Sequence, residues 1–249
     1  MPIVYSFNNS KGIKKEKNQD AVNVIKNKNG ALLGIICDGV SSHSKSEYSS
    51  NYIVNYFSKK WKKTKFDNVD NVQEWLFNNV NTVNLDIIKK SVEENEKMAT
   101  TIVVTVIFDN NIVVANVGDS FTYSIDNNDN VKLITKDDSY PGVLLEAGAI
   151  TEEEAMNHPE KNKLTQAIGV KEVIDIHIGK YDLNDYKYIL SCSDGLTTML
   201  SIDDIYNIIS NNDLSSSIKV LIDEANNRGG LDNISIILFK IMRGVEYDR

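Results

Sequence analysis

The sequence predicts an α+β domain. Three features carry that reading: strand-like runs open and close the chain, pairs of amphipathic helical segments lie between them, and strands and helices do not alternate regularly. No Pro-, Gly- or Ser-rich linker and no internal repeat divides the 249 residues, so one domain is expected over 1–249. Short strands are expected at Ile3–Asn8, Ala21–Lys26 and Ala31–Cys37. The last is a continuous apolar run bounded by glycines, which marks a buried strand. Two long helices should follow. The first carries Ile53, Val54, Tyr56, Phe57 and Trp61; the second spaces Val72, Trp75, Leu76, Val80, Val83 and Ile87 at helical intervals, so each has one apolar face.

A β block comes next. Thr101–Asp109 is rich in β-branched residues, Asn110-Asn111 is the expected turn, and Ile112–Val117 returns as its hairpin partner. Phe121–Ile125 follows, with a polar turn at 127–130 and a further short strand. Residues 139–163 are polar, contain Pro141 and Pro159, and read as a surface excursion with a short helix at Thr151–Met156. Thr151 followed three residues later by Glu154 predicts a capping box there. Strands should resume near Ile174–Ile178 and Tyr188–Cys192, helices near Ile202–Ser210 and Ser216–Asn226, and Ile234–Lys240 closes the domain as a strand.

Composition narrows the function. Hydrophobic residues make up 41% and charged residues 25%, as in an ordinary globular protein. A formal net charge of −8 argues against non-specific nucleic-acid binding, which draws on a positive field. Two cysteines without CxxC spacing exclude a disulfide scaffold or a thiolate zinc site and fit a reducing cytosol. No signal-peptide pattern and no run of the ~18 apolar residues that cross a bilayer is visible, so a cytoplasmic protein without a membrane partner is expected. The chain has 24 Lys, 3 Arg and 30 Asn, the skew of an AT-rich coding sequence, which bears on phosphate-binding positions.

The repeated chemical event is an aspartate where an apolar strand stops or starts. Asp38 follows Gly34-Ile35-Ile36-Cys37, Asp119 follows Val117-Gly118, and Asp194 follows Ser191-Cys192-Ser193. Asp232 and Asp20 each stand just before a strand. One Asp-Gly at a strand end is most often a plain turn, but strand ends on one sheet edge can converge. Five carboxylates brought together would repel strongly unless cations balance them. Oxygen ligands without a Cys/His cluster point to Mg²⁺ or Mn²⁺ rather than zinc.

The order of these motifs resembles the metal-dependent serine/threonine protein phosphatases of type 2C, in their bacterial form. Gly12 to Asn18-Gln19-Asp20 matches the first motif, and Asp38-Gly39-Val40-Ser41-Ser42-His43 with Glu47 and Ser50 the second. Ala99-Thr100-Thr101 and Ala115-Asn116-Val117-Gly118-Asp119-Ser120 match the next two. Asp137-Asp138-Ser139, Asn157-His158-Pro159 and Leu164-Thr165-Gln166-Ala167-Ile168-Gly169 match a flap and its exit. Ser193-Asp194-Gly195-Leu196 and Gly230-Leu231-Asp232-Asn233-Ile234 complete the series. The resemblance implies a four-layer α-β-β-α sandwich, two antiparallel sheets flanked by helix pairs, with a flap at about 137–163. It implies that Asp38 bridges two Mn²⁺ or Mg²⁺ ions, that the Gly39 carbonyl and Asp20 serve the second, and that Asp194 and Asp232 hold the first. Asp119 with Asp194 could hold the third ion of bacterial members. The implied reaction is hydrolysis of phosphoserine and phosphothreonine in proteins by a metal-activated water, without a phosphoenzyme.

Departures from the pattern are also informative. Lys15 stands where the family places an arginine that grips substrate phosphate; it reads equally as a solvated lysine in Lys14-Lys15-Glu16-Lys17. Gln166 replaces the flap-exit arginine. Ser41, Ser42 and Ser46 replace glycines, so that loop is either strained or takes another path. Val40 occupies the position of a histidine proposed as general acid in eukaryotic relatives. His43 reads equally as a motif residue or as a loop-shaping one; His158 reads as a flap turn residue and His177 as structural. Expected partners are phosphorylated proteins, with a serine/threonine kinase as cellular antagonist, and monomer is the default state. A catalytically weak or silent relative that binds phosphoproteins or acts as a scaffold is the alternative.

Overall fold

A computed structural model describes residues 1–242; of the expected 1–249 domain, 243–249 lie outside the described residues. Two antiparallel five-stranded sheets stack face to face. The first orders β1 (Ile3–Ser10), β10 (Ile234–Ile241), β9 (Tyr186–Cys192), β6 (Phe121–Asp126) and β7 (Val131–Leu133). The second orders β2 (Ala21–Lys26), β3 (Leu32–Cys37), β4 (Ile102–Phe108), β5 (Asn111–Val117) and β8 (His177–Asp182). Helices α1 (Ser46–Trp61) and α2 (Val69–Glu94) cover the second sheet. The short α5 (Asp194–Thr197) with α6 (Ile202–Asn211) and α7 (Leu214–Asn227) cover the first. This is the expected four-layer α-β-β-α sandwich.

Three apolar layers hold the stack, and each follows from the sequence pattern. β3, β4 and β5 are buried on both faces, which is why they read as continuous apolar runs. Ile36, Val103, Val114, Ile237 and Phe239 fill the space between the sheets. Under α1 and α2 lies an aromatic knot. Trp61 is fully buried, with ring centroids 5.2 Å from Trp75 and 5.4 Å from Phe66, and its indole N–H donates to the Ala31 carbonyl at 3.2 Å. Both tryptophans are therefore core, as their helical spacing predicts.

The expected elements are present, with instructive shifts. The β4–β5 turn is Asp109-Asn110 rather than Asn110-Asn111, because Asp109 takes the left-handed conformation (φ 51°) and Asn111 already pairs with Phe108. β8 starts at His177, not Ile174; Ile174 and Ile176 pack against the α1–α2 core from a loop, so their alternation reports burial without pairing. Within the excursion, α3 (Tyr140–Glu146) was not evident in the sequence, since Pro141 reads as a breaker yet sits in the helix's first turn under a Ser139 cap. The capping box at Thr151 and Glu154 opens α4 (Glu152–Met156) as expected. The Tyr140 N–H donates to the Lys163 carbonyl at 2.7 Å, closing the excursion at its base.

Truncating the aromatic knot should be costly. Trp61→Ala is expected to lower unfolding free energy by about 3–5 kcal/mol, read as a fall in the urea midpoint without a change in slope.

Candidate metal centre

Strand register delivers the carboxylates to one edge. Ala21 pairs with Cys37, so Asp20 and Asp38 flank each other just beyond β2 and β3. Ile102 pairs with Val117, which brings Thr101 and the Gly118-Asp119 corner to the same edge. In the other sheet Cys192 pairs with Ile236, so Asp194 and Asp232 leave β9 and β10 together. The two sheets are tied across this edge by Ser193, whose hydroxyl donates to Asp20 Oδ2 at 2.8 Å and accepts the Ser235 N–H at 2.9 Å.

Close backbone approach is required here, and glycine permits it. A Cβ on Gly195 would stand 2.0 Å from the Asn233 carbonyl oxygen. Gly118 adopts φ +104° and lies against Thr101, where a Cβ would fall 2.7 Å from the threonine methyl. Thr101 Oγ1 in turn accepts the Asp38 N–H at 3.1 Å. The Asp38 carbonyl and the Val40 N–H carry the ladder bonds to the strand carrying Thr100, leaving the Gly39 carbonyl out of both.

All five strand-end aspartates interact. Asp38 is central, since its carboxyl feels the charges of all four others. Burial, then the charges of Asp20, Asp194, Asp119 and Asp232, push its carboxyl well above the usual range. Asp20 is pushed up to about 7, chiefly by burial and further by Asp194, against the hydrogen bond from Ser193. Asp194 is raised to about 6 by burial and Asp232, with Lys15 and the Asp38 hydrogen bond opposing. Asp119 is held well above its ordinary value by burial, Asp194 and Asp137. Burial is the first cause of these raised values and mutual repulsion the second, and a bound cation would oppose both.

Lys15 supplies part of that charge. Its ammonium lies 2.8 Å from Asp232 Oδ1, and its side chain is only 26% exposed, so it is not a merely solvated lysine. The loop before Asp20 is fixed by the Gly230 carbonyl, which accepts the Ile13 and Lys14 N–H groups at 2.9 and 3.0 Å. Buried Asn233 does more: it accepts the Gln19 N–H and donates to the Lys11 and Lys17 carbonyls, all at 2.8–2.9 Å. The motif containing Asn233 was legible, but this positioning role, across more than 200 residues of sequence, was not.

The donor set fits a hard divalent cation. Asp20 Oδ1 is buried with no hydrogen-bond partner among the described residues, a costly state for a carboxylate oxygen. Among the described residues no three His, Cys, Asp or Glu side chains close a ready cage around one ion. Asp38, Asp119, Asp194 and Asp232 are partly exposed, an arrangement suited to Mg²⁺ or Mn²⁺, which keep several waters. The unmatched positions fall elsewhere. Gln166 spends its amide on the Asp175 backbone, accepting its N–H and donating to its carbonyl, both at 3.0 Å. Arg228, the one arginine among the described residues, is bound to Asp204 and Glu224.

Beside Asp119, Asp138 gathers the excursion's root. Its Oδ2 accepts the Gly118 N–H at 2.7 Å, its Oδ1 lies 2.9 Å from His177 Nε2, and its carbonyl accepts both the N–H and the hydroxyl of Thr165. His177 is thus structural, through a partner 39 positions away that the strand pattern alone did not reveal. His43 closes a turn onto Val40 and contacts Ser42, shaping its loop. Ser41, Ser42 and Ser46 carry no positive φ, so the loop takes a path that does not need glycine. His158 accepts the Glu160 N–H and packs on Tyr140 in the excursion.

Comparison with known proteins identifies the family and the fold. The protein phosphatase 2C family model matches residues 9–230. Protein phosphatase PhpP of Streptococcus pneumoniae is 36% identical over 229 residues, covering 91% of this chain and 93% of its own. The crystal structure of serine/threonine phosphatase Stp1 from Staphylococcus aureus superposes with TM-score 0.93 at 28% identity, covering 98% of this chain and 96% of that one. The catalytic domain of serine/threonine protein phosphatase PstP, solved in complex with two manganese ions, shares the fold with TM-score 0.84 at 22% identity, covering 97% and 99%.

The raised carboxyls set a stability profile with a definite sign. Each binds its proton more tightly in the folded chain than in the unfolded one, where the value is near 3.8. Stability from this source is therefore full below about pH 4 and is lost as pH rises through 6 and 7. Metal-stripped protein is expected to show a falling Tm over that upper window, and saturating Mn²⁺ or Mg²⁺ should remove the fall. Calorimetry across pH, with and without EDTA, checks this.

Proposed function

Because this chain belongs to the protein phosphatase 2C family, we propose that it is a protein serine/threonine phosphatase in which a water, activated by divalent metal, attacks phosphorus directly. The observation that carries this reading is the meeting of five strand-end aspartates around Asp38, with Asp20 Oδ1 left without a partner. Asp38 is the group to bridge two ions; Asp20 and the Gly39 carbonyl would serve one, Asp194 and Asp232 the other, and Asp119 with Asp194 offers a third position. Two divalent cations bound there would lower the pKa of a shared water and neutralise phosphoryl oxygens. Lys15, held at the rim by the Gly230 and Asn233 anchors, is placed to meet a phosphoryl oxygen with a point charge, exchanging Asp232 for substrate. Cys37 and Cys192 are fully buried and burial pushes both thiols up, so neither offers a thiolate nucleophile or a phosphoenzyme. Val40 supplies no acid, so the leaving alkoxide would take its proton from water or another group. The 137–163 excursion, rooted through Asp138 beside Asp119, would flank the bound phosphoprotein, and a serine/threonine kinase is the natural antagonist. Among the described residues no helix is long and apolar enough to cross a membrane; we place the activity in the cytoplasm.

The deciding experiment is Mn²⁺-dependent phosphate release from a phosphothreonine peptide. Asp38→Ala and Asp232→Ala are each expected to lower the rate by more than about a hundredfold. Metal binding without release in the native protein would favour a silent phosphoprotein-binding module, and phosphodiesters turned over as fast as the peptide would overturn the protein-phosphatase reading. Lys15→Gln is expected to raise KM about tenfold with a smaller change in kcat, the mark of a lost charge-assisted contact to substrate.

A further inference from the structure

The net charge of −8 conceals a local cluster of lysines. At the end of the sandwich opposite the carboxylates, α1 runs out into Lys59-Lys60-Trp61-Lys62-Lys63-Thr64-Lys65, and the β2–β3 turn adds Lys26 and Lys28. All seven lysines are exposed. β2 separates this end from Asp20 by six residues, about 20 Å at strand rise, and α1 spans the same gap from Ser46. The lysine cluster and the strand-end aspartates thus lie at opposite ends of the domain, with Lys11, Lys14, Lys15 and Lys17 on the aspartate side.

The basic pole is a built surface. The Lys28 N–H donates to the Thr64 carbonyl at 3.2 Å, Asn29 Nδ2 to the Phe66 carbonyl at 3.1 Å, and Trp61 Nε1 to the Ala31 carbonyl at 3.2 Å. These bonds lock the two lysine-bearing turns side by side. Lys59 and Lys60 complement the α1 C-terminus, but one or two cations suffice for that, and the other five lie beyond the helix's last turn or on the neighbouring β2–β3 turn. Among the described residues no salt bridge engages any of the seven; Lys60 lies over the Tyr56 ring at 5.3 Å. The nearest acids in sequence or across the β2–β3 margin are Asp67 and Asp109, both exposed, while Asp70 is 3.4 Å from Lys180.

We propose that this lysine pole docks the protein on an anionic lipid bilayer, with the metal centre facing away from the membrane. The composition of the patch selects that occupant. It holds no arginine fork for paired recognition of a phosphate, and Trp61 and Phe66 are turned into the aromatic knot, so no stacking platform for bases is presented. Nor does it contain an apolar anchor of the kind that dominates protein interfaces. What remains is a set of mobile point charges, which a diffuse anionic surface satisfies without fixed geometry. With the lysines on the bilayer, the carboxylate edge at the other end of β2 and α1 faces away from it.

Vesicle flotation tests this with the full chain. Vesicles containing one-third phosphatidylglycerol are expected to retain the native protein at least about tenfold better than pure phosphatidylcholine, with retention lost near 0.5 M salt as the charges are screened. A variant carrying Lys60→Gln, Lys62→Gln, Lys63→Gln and Lys65→Gln should lose that preference. A control of the same net charge, Lys132→Gln, Lys161→Gln, Lys171→Gln and Lys219→Gln, should keep it, and circular dichroism should show both folded. Absence of a phosphatidylglycerol preference in native protein, or equal loss in both variants, overturns the proposal. Tighter binding to duplex DNA than to the anionic vesicles, lost in the same patch variant, overturns it in favour of a nucleic-acid surface.

Discussion

The crowding of five poorly solvated carboxylates at one sheet edge is the constraint on which the rest of this molecule depends. Asp20, Asp38, Asp119 and Asp194 have carboxyls raised by burial and by one another, an arrangement no sequence would keep for stability alone. The fold must therefore hold these groups together against their own charge. It does so with backbone: strand register sets Asp20 beside Asp38, and Asp194 beside Asp232, while the packed sheets bring the two pairs to one edge. The hydroxyls of Ser193 and Thr101 and the amide of Asn233 then fix the corners with hydrogen bonds. Most of the stabilisation lies elsewhere, in three apolar layers, so the edge can remain frustrated without unfolding the domain.

Much of this was legible in the sequence because it is local. An apolar run ending in Asp, as at Cys37-Asp38, declares both a buried strand and the place where it stops. The helical spacing from Val72 to Ile87 declares a buried face, and Thr151 with Glu154 declares a cap. Errors arose where burial and pairing diverge: Ile174 and Ile176 alternate like a strand because they pack, yet β8 pairs only from His177. Asp109 displaced the β4–β5 turn by one residue by accepting a left-handed φ.

What sequence could not show are the long-range polar contacts of the site. Asn233 clamps the loop at Lys11 and Lys17, and Asp138 joins Gly118, Thr165 and His177. Such pairs leave no periodic trace. Lys15 was open between solvent and site because a lysine-rich run looks the same in either place; only the ion pair with Asp232 separates the two. Gln166 illustrates the converse. Its position suggests a phosphate contact, but its amide is consumed by the Asp175 backbone, so the lost arginine charge is not recovered there.

Net charge is a sum, and the sum discards position. An excess of acidic side chains argued against non-specific nucleic-acid binding, yet five of those side chains gather at one sheet edge, where bound divalent cations would offset them. Lysines at the far end have no such neutralising neighbours and act on solvent with their full charge. Divalent cations bound at that edge would leave the protein less acidic than its sequence suggests, while the far lysines would keep their charge.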